Sequence, residues 1–375
     1  MNERLTALYE WFHSHPELAF EERETTAKIR EVLEGAGIPV LDSGLETGLI
    51  ALIEGGKPGP VIGLRADIDA LPMQEETGLP YASCHPGAMH ACGHDFHTAM
   101  MLGAALMLRE QQAELPGQVK LIFQPAEEID SGARRVLETG LTDDCELFLA
   151  GHSYPQFGAG TLGIREGAVM AAVDRFEIII RGKGCHAGQP SKGIDPIVVQ
   201  AALIQSLQTI ASRSMDPFTP RVISITHVEA GTTWNIIPET ARLEGTVRTM
   251  DARQRALAEA RLRDIVAGIT AAYGAEAEIH WIHGSGAVMN DDRLCILARE
   301  AARETGLTVA RPEDTMGGED FACYLEGRPG LFVRVGTGGA YPGHHPKFTS
   351  DPAALEPAAR FFATLARKCL MEFLG

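Results

Sequence analysis

Six segments in the middle of the chain, reading β-α-β-β-α-β, constrain its fold more than any other feature. Residues 175–180, 222–228, 241–248 and 276–281 have strand character, and residues 196–213 and 252–273 have helical character. This order is the ferredoxin-like pattern. The flanks have another rhythm. Residues 49–54, 61–65, 119–123, 147–150 and 331–335 are short apolar runs, separated by helical patterns such as 98–112. Residues 2–36 read as a helix pair broken at Ser14-His15-Pro16. Strands apolar on both faces and alternating with helices indicate an α/β sheet buried on both sides. The expected fold is thus α/β, with a mixed, mostly parallel sheet flanked by helices in a discontinuous catalytic domain (1–171 and 285–375), and an inserted ferredoxin-like α+β unit at 172–284. A length of 375 residues suits two domains.

Charge narrows the partners. The 33 basic and 50 acidic residues give a formal charge of -17, which repels phosphate backbones and anionic lipid. No nucleic acid and no membrane surface is expected, and no segment approaches the roughly 18 apolar residues needed to cross a bilayer. Seven cysteines lack the density of a disulfide scaffold and read as thiols in a reducing compartment. Residues 1–20 are amphipathic without a signal-peptide core, so a cytoplasmic location is expected.

The chemistry-bearing residues fall in five places. His90-Ala91-Cys92-Gly93-His94-Asp95-Phe96-His97 stands where the apolar helix starts. Thiolate and imidazole suit borderline-soft divalent metals, and a Cys-Gly-His spacing lets two ligands reach one point. Gln124-Pro125-Ala126-Glu127-Glu128 follows a strand. Adjacent carboxylates there point in different directions, so one can bind metal while its neighbour acts as general base toward a water. Taken alone, the pair reads as an acidic turn opening a helix at 131–139. His152 alone would be a structural histidine, and either His344 or His345 could serve in Pro342-Gly343-His344-His345-Pro346. Asp67 and Asp69 are further acidic candidates. Position unites them. The carboxylates and His152 follow the C-terminal ends of apolar strands, and the 344–345 pair lies in the connection after another. Open α/β sheets build their sites beyond those ends.

With these motifs the sequence resembles the M20 metallopeptidase and aminoacylase family, in its amidohydrolase branch of N-acyl-amino-acid deacylases, hippurate hydrolases and auxin-conjugate hydrolases. The resemblance also rests on His15-Pro16-Glu17-Leu18, Arg65-Ala66-Asp67-Ile68-Asp69, Asn235-Ile236-Ile237-Pro238, Gly245-Thr246-Val247-Arg248-Thr249 and Gly318-Glu319-Asp320-Phe321. It implies two divalent metal ions (zinc, manganese, cobalt or nickel) held by Cys92, His94, Glu128, His152 and His344, with Cys92 bridging. His344 is preferred to His345 because it stands four residues before Phe348. Glu127 becomes the general base, and Asp69 a carboxylate that orients a site histidine. In the insert, His186 resembles the family's lid histidine, which stabilises the oxyanion in the partner subunit's site, and Asn235 and Arg248 resemble groups that hold the substrate carboxylate. The implied activity is release of the acyl group from small N-acyl amino acids by a homodimer. A dipeptidase or carboxypeptidase of the same family is the alternative, and a non-catalytic metal-dependent binding protein a more distant one. His13, His15, His85, His227, His280 and His283 read as structural.

Overall fold

The computed structural model describes residues 1–373, which divide into two compact units. The first comprises Met1–Gly167, Met289–Glu313 and Asp320–Gly375, of which the last two residues lie outside the description. It opens with helices α1 (Asn2–Ser14) and α2 (Arg23–Gly35). The break between them is fixed by Glu17, whose carboxylate accepts the backbone N–H groups of Glu24 and Thr25 at 3.0 and 2.8 Å. Those donors have no partner inside a helix, and a carboxylate also suits the helix dipole.

Strands β1 (Leu49–Glu54) and β2 (Lys57–Asp67) follow, then helix α3 (His94–Glu110), β3 (Pro116–Gln124), α4 (Gly132–Leu137), β4 (Leu147–Tyr154) and β5 (Thr161–Gly163). The expected helix at 98–112 starts four residues earlier, because Gly93 takes the left-handed conformation (φ 86°) and launches the first turn at His94. Histidine 94 is therefore a helical residue, buried at the base of α3.

The chain then enters the second unit, Ala168–Val288 with Asp314–Glu319. Strands β6 (Gly167–Met170) and β13 (Val288–Asn290) stand at its chain boundaries, and the elements between them are β7 (Ala172–Arg181), β8 (Cys185–His186), α5 (Pro196–Thr209), β9 (Arg221–Ala230), β10 (Ile236–Ile237), β11 (Thr240–Thr249), α6 (Ala252–Tyr273) and β12 (Glu276–His283). Four strands form an antiparallel sheet in the order β12-β7-β11-β9. Every second residue of β7 is buried, and Phe176, Ile178 and Ile180 pack with Leu203 of α5 and Leu262 of α6. Each such side chain contributes about 1.5–3 kcal/mol relative to exposure. The expected helix 196–213 changes to a π-helical turn at Ile210–Ser214. Segment 314–319 joins this unit because Gly317 accepts the N–H of Ala171 and Gly318 lies against Val173.

Back in the first unit come α7 (Asp292–Glu304), β14 (Thr308–Ala310), β15 (Gly330–Gly336) and α8 (Leu355–Glu372). The main sheet has seven strands in the order β1-β3-β2-β4-β15-β5-β14. It is mixed: β3, β2, β4 and β15 run parallel, whereas β1 pairs antiparallel with β3 and β5 antiparallel with β15. Helices flank it. A Cβ on Gly151 of β4 would stand 2.5 Å from Phe362 of α8, and one on Gly103 of α3 would stand 2.8 Å from Ala359 of α8, so α3 and α8 approach closely there. Because the four central strands are parallel, β2, β3 and β4 all end at one edge of the sheet. No helix among the described residues is long and apolar enough to cross a membrane.

Candidate active site

At that edge each strand delivers a functional segment. Beyond β2 stands Asp69, whose Oδ1 lies 3.2 Å from Nδ1 of His94 and whose Oδ2 accepts the backbone N–H of Glu128 at 3.0 Å. Beyond β3 the chain turns sharply. Ala126 adopts φ 53°, its N–H donates to the buried carboxylate of Glu22 at 2.9 Å, and its carbonyl accepts the N–H of Gly132. A Cβ on Gly132 would stand 1.6 Å from the carbonyl oxygen of Pro125, so this turn closes only around glycine. Glu127 and Glu128 are thereby presented from one tight loop.

Five side chains converge. Cys92 Sγ lies 3.5 Å from His152 Nε2, and His344 Nε2 lies 3.5 Å from Glu128 Oε2. Glu127 joins His94 and Glu128 in one group whose ligand atoms all lie within 4.8 Å of one another, and two such groups contain Cys92: Cys92, His94 and His152, and Cys92, Glu128 and His344. The thiol belongs to both. Glu127 Oε2 stands 3.9 Å from His94 Nε2. His345 does something else. It stacks on Tyr341 with ring centroids 4.3 Å apart, and its Nδ1 accepts the N–H of Lys347.

The donor atoms fit cations. His94 Nε2 and Glu128 Oε1 are buried without a hydrogen-bond partner, 3.9 Å apart. Buried polar atoms are rarely orphaned, and an imidazole nitrogen and a carboxylate oxygen are both ligand types that a divalent ion would satisfy. His152 Nδ1 donates to the carbonyl of Ser153 at 2.8 Å, which leaves the Nε2 lone pair for a ligand. Burial, His97 and Arg334 hold His152 well below the usual imidazole range, in the neutral form that binds metal. Burial pushes the Cys92 thiol up, and the Glu128 carboxylate adds to it. Burial likewise raises Glu128, opposed by His94. For His94, burial disfavours the charge, but Asp67 and the bond to Asp69 outweigh it and raise the pKa well above normal. A divalent ion reverses all three costs, because it favours thiolate and carboxylate and takes the place of the His94 proton.

A further cluster, Asp67, His94 and His97, has ligand-like spacing, yet the atoms of Asp67 and His97 are engaged. Arg65 is fully buried, and its guanidinium donates to Asp67 (2.6 Å), Asp320 (2.8 Å) and Gln124 (2.9 Å). The other oxygen of Asp67 meets His97 Nδ1 at 2.5 Å, and His97 Nε2 accepts the N–H of Ser153 at 2.7 Å. Motif spacing does not single out His97, Gln124 or Glu22. The one sequence signal was Arg65 within an apolar strand, since a buried charge demands partners.

The remaining candidates belong to the second unit. The β8–β10 ladder sets His186 opposite Ile236, and Ala187 N–H donates to the carbonyl of Asn235 at 3.1 Å. His186 is exposed, with Nδ1 accepting the N–H of Gly188. Arg248 Nε donates to Thr246 at 3.1 Å.

The chain matches Peptidase family M20/M25/M40 over residues 63–368. It belongs to that family. This M20 chain is 50% identical over 364 residues to an N-acetylcysteine deacetylase of Bacillus subtilis, covering 97% of itself and 96% of that relative. It is 41% identical over 281 residues to an N-acyl-L-amino acid amidohydrolase of Geobacillus stearothermophilus, covering 75% and 76% of the two chains. A Bacillus subtilis structure described as a dinuclear metal binding peptidase of the M20 family superposes with a TM-score of 0.91 at 47% identity, covering 99% of this chain and 98% of the other.

Proposed function

We propose that this M20 protein is a metal-dependent amidohydrolase that releases the acyl group from small N-acyl amino acids. The observation that carries the reading is Cys92, common to two ligand groups, with the Glu127 carboxylate beside them. Cys92, His94 and His152 would hold one divalent ion, and Cys92, Glu128 and His344 the other. Bound ions supply acidified water near pH 7 and a positive charge for the amide oxygen. Zinc is the first choice for a thiolate ligand, with manganese, cobalt and nickel as alternatives.

Glu127 does the proton work. Its carboxylate takes the proton of the attacking water as the new C–O bond forms. It returns that proton to the nitrogen as the C–N bond breaks, so that a carboxylic acid, which ionises in water, and a free amine leave. His186 stabilises the oxyanion, and Asn235 and Arg248 hold the substrate carboxylate; these roles rest on the family resemblance. The same reading makes residues 172–284 a ferredoxin-like lid and dimerisation domain, inserted into a catalytic domain of residues 1–171 and 285–375. Support comes from the β-α-β-β-α-β order and the four-stranded sheet. The protein then acts as a cytoplasmic homodimer, and its seven free cysteines suit that compartment. The deacetylase and amidohydrolase relatives favour this substrate class over dipeptides.

The test is amine release from N-acetyl and N-benzoyl amino acids, N-acetylcysteine among them, and from dipeptides, by metal-stripped and reconstituted protein. Release of amine from the acylated amino acids only with added divalent metal supports the reading. Intact acyl substrates alongside tight metal uptake overturn it.

A further inference from the structure

We propose that His97 is a positioning residue for the metal ligand His152, acting through the backbone of Ser153 and held in one tautomer by the Arg65–Asp67 pair. The assignment rests on the metal-centre reading above and extends it to a residue whose ring nitrogens bond to Asp67 and to the Ser153 backbone rather than to either ligand group. Strand β4 pairs with β2 only as far as Arg65↔Ala150. Past that point the β2 side of β4 has no strand neighbour, yet the backbone still carries obligatory donors. The N–H of Ser153 is one of them, and it donates to His97 Nε2 at 2.7 Å.

An imidazole nitrogen that accepts carries no proton, so the His97 proton must sit on Nδ1, which meets Asp67 Oδ1 at 2.5 Å. The second oxygen of Asp67 is taken by Arg65, 2.6 Å away, and Arg65 is itself anchored to Asp320. Asp67 therefore offers only acceptors to His97, which fixes the tautomer. The stretch thus held contains both partners of the next bond: the Ser153 carbonyl accepts from His152 Nδ1. That bond turns the His152 Nε2 lone pair toward Cys92. The Ser153 side chain also donates to the Cys92 carbonyl, and a Cβ on Gly93 would stand 2.4 Å from the Ser153 hydroxyl, so the strand end is registered against the cysteine loop. The His97 and His152 rings lie 4.5 Å apart between centroids.

The experiment compares two substitutions by metal titration of stripped protein, with cobalt(II) as the probe. His97→Leu fills the space without hydrogen bonds, and His97→Gln puts an amide oxygen in reach of the Ser153 N–H. Outer partners of metal ligands typically govern about 10–100-fold in affinity. The leucine variant is expected to lose that much for one of two cobalt ions, with a changed visible spectrum, while the other ion binds as in wild type; glutamine restores much of the loss. Wild-type affinity and spectrum for both ions in a folded leucine variant would overturn the assignment, and so would an equal loss of both ions. Histidine side-chain nitrogen NMR of the wild-type protein tests it independently of variant folding: an Nδ1–H tautomer is expected at His97, and Nε2–H overturns the relay. These readouts are separate from amide hydrolysis, so failure of the substrate panel and failure of the relay are distinguishable.

Discussion

The carboxylate of Asp69 holds His94 and the backbone of Glu128 at once, with 3.2 Å to the His94 ring nitrogen and 3.0 Å to the Glu128 N–H. One side chain thus sets the spacing between ligands that come from α3 and from the loop after β3. Asp69→Ala is expected to weaken metal binding by about 10–100-fold. Calorimetric titration of the stripped variant checks this, and unchanged affinity for both ions would remove Asp69 from the centre.

Glu127 stands beside His94 without belonging to either Cys92 group. Glu127→Gln is expected to lower kcat by about 10²–10⁴-fold, the usual range for a general base. Metal content should stay at the wild-type level. Measuring both in one preparation separates a lost base from a lost ligand.

His344 and His345 are adjacent in sequence but differ in surroundings, one 3.5 Å from Glu128 and the other stacked on Tyr341. His344→Ala should cost one of the two ions and nearly all activity, whereas His345→Ala should leave metal stoichiometry intact. If the two variants have interchanged effects, the ligand assignment is wrong.

Stability should depend on pH through His13. This buried ring sits between Asp95 (2.6 Å) and Glu75 (3.2 Å). Burial opposes its charge, but the bonds to the two carboxylates outweigh it and raise the pKa from 6.5 to about 9. A raised folded-state pKa stabilises fully below the unfolded value, and that stability fades as pH rises through the folded value. The wild-type Tm should therefore fall between about pH 6.5 and 9. In His13→Asn the midpoint should be lower throughout and flatter across that window, as thermal melts at several pH values would show. An equally steep fall in the variant would place the titrating group elsewhere.

Much of this was written in local pattern. The β-α-β-β-α-β rhythm and the apolar strands around it depend on residues near one another in the chain, and so does the turn at Gly132. Cys92 with His94, and Glu127 with Glu128, became candidates through their spacing together with their place at a helix start and a strand end. The short strands β5, β8, β10 and β14 were not legible. Two or three residues carry too little periodicity to register, and each exists only because a partner strand is present.

Sequence by itself determined which residue types were available for metal chemistry and the strand ends on which they sit. Tertiary structure gave them their surroundings. It set His344 beside Glu128 and stacked His345 on Tyr341. It paired Arg65 with Asp320, 255 positions away. It also placed His97 against Ser153, 56 positions away, where β4 loses its neighbour. The physical reason is the same in each case. A buried charge or backbone donor must find a partner in space, and the chain pattern records the need without naming the residue that meets it.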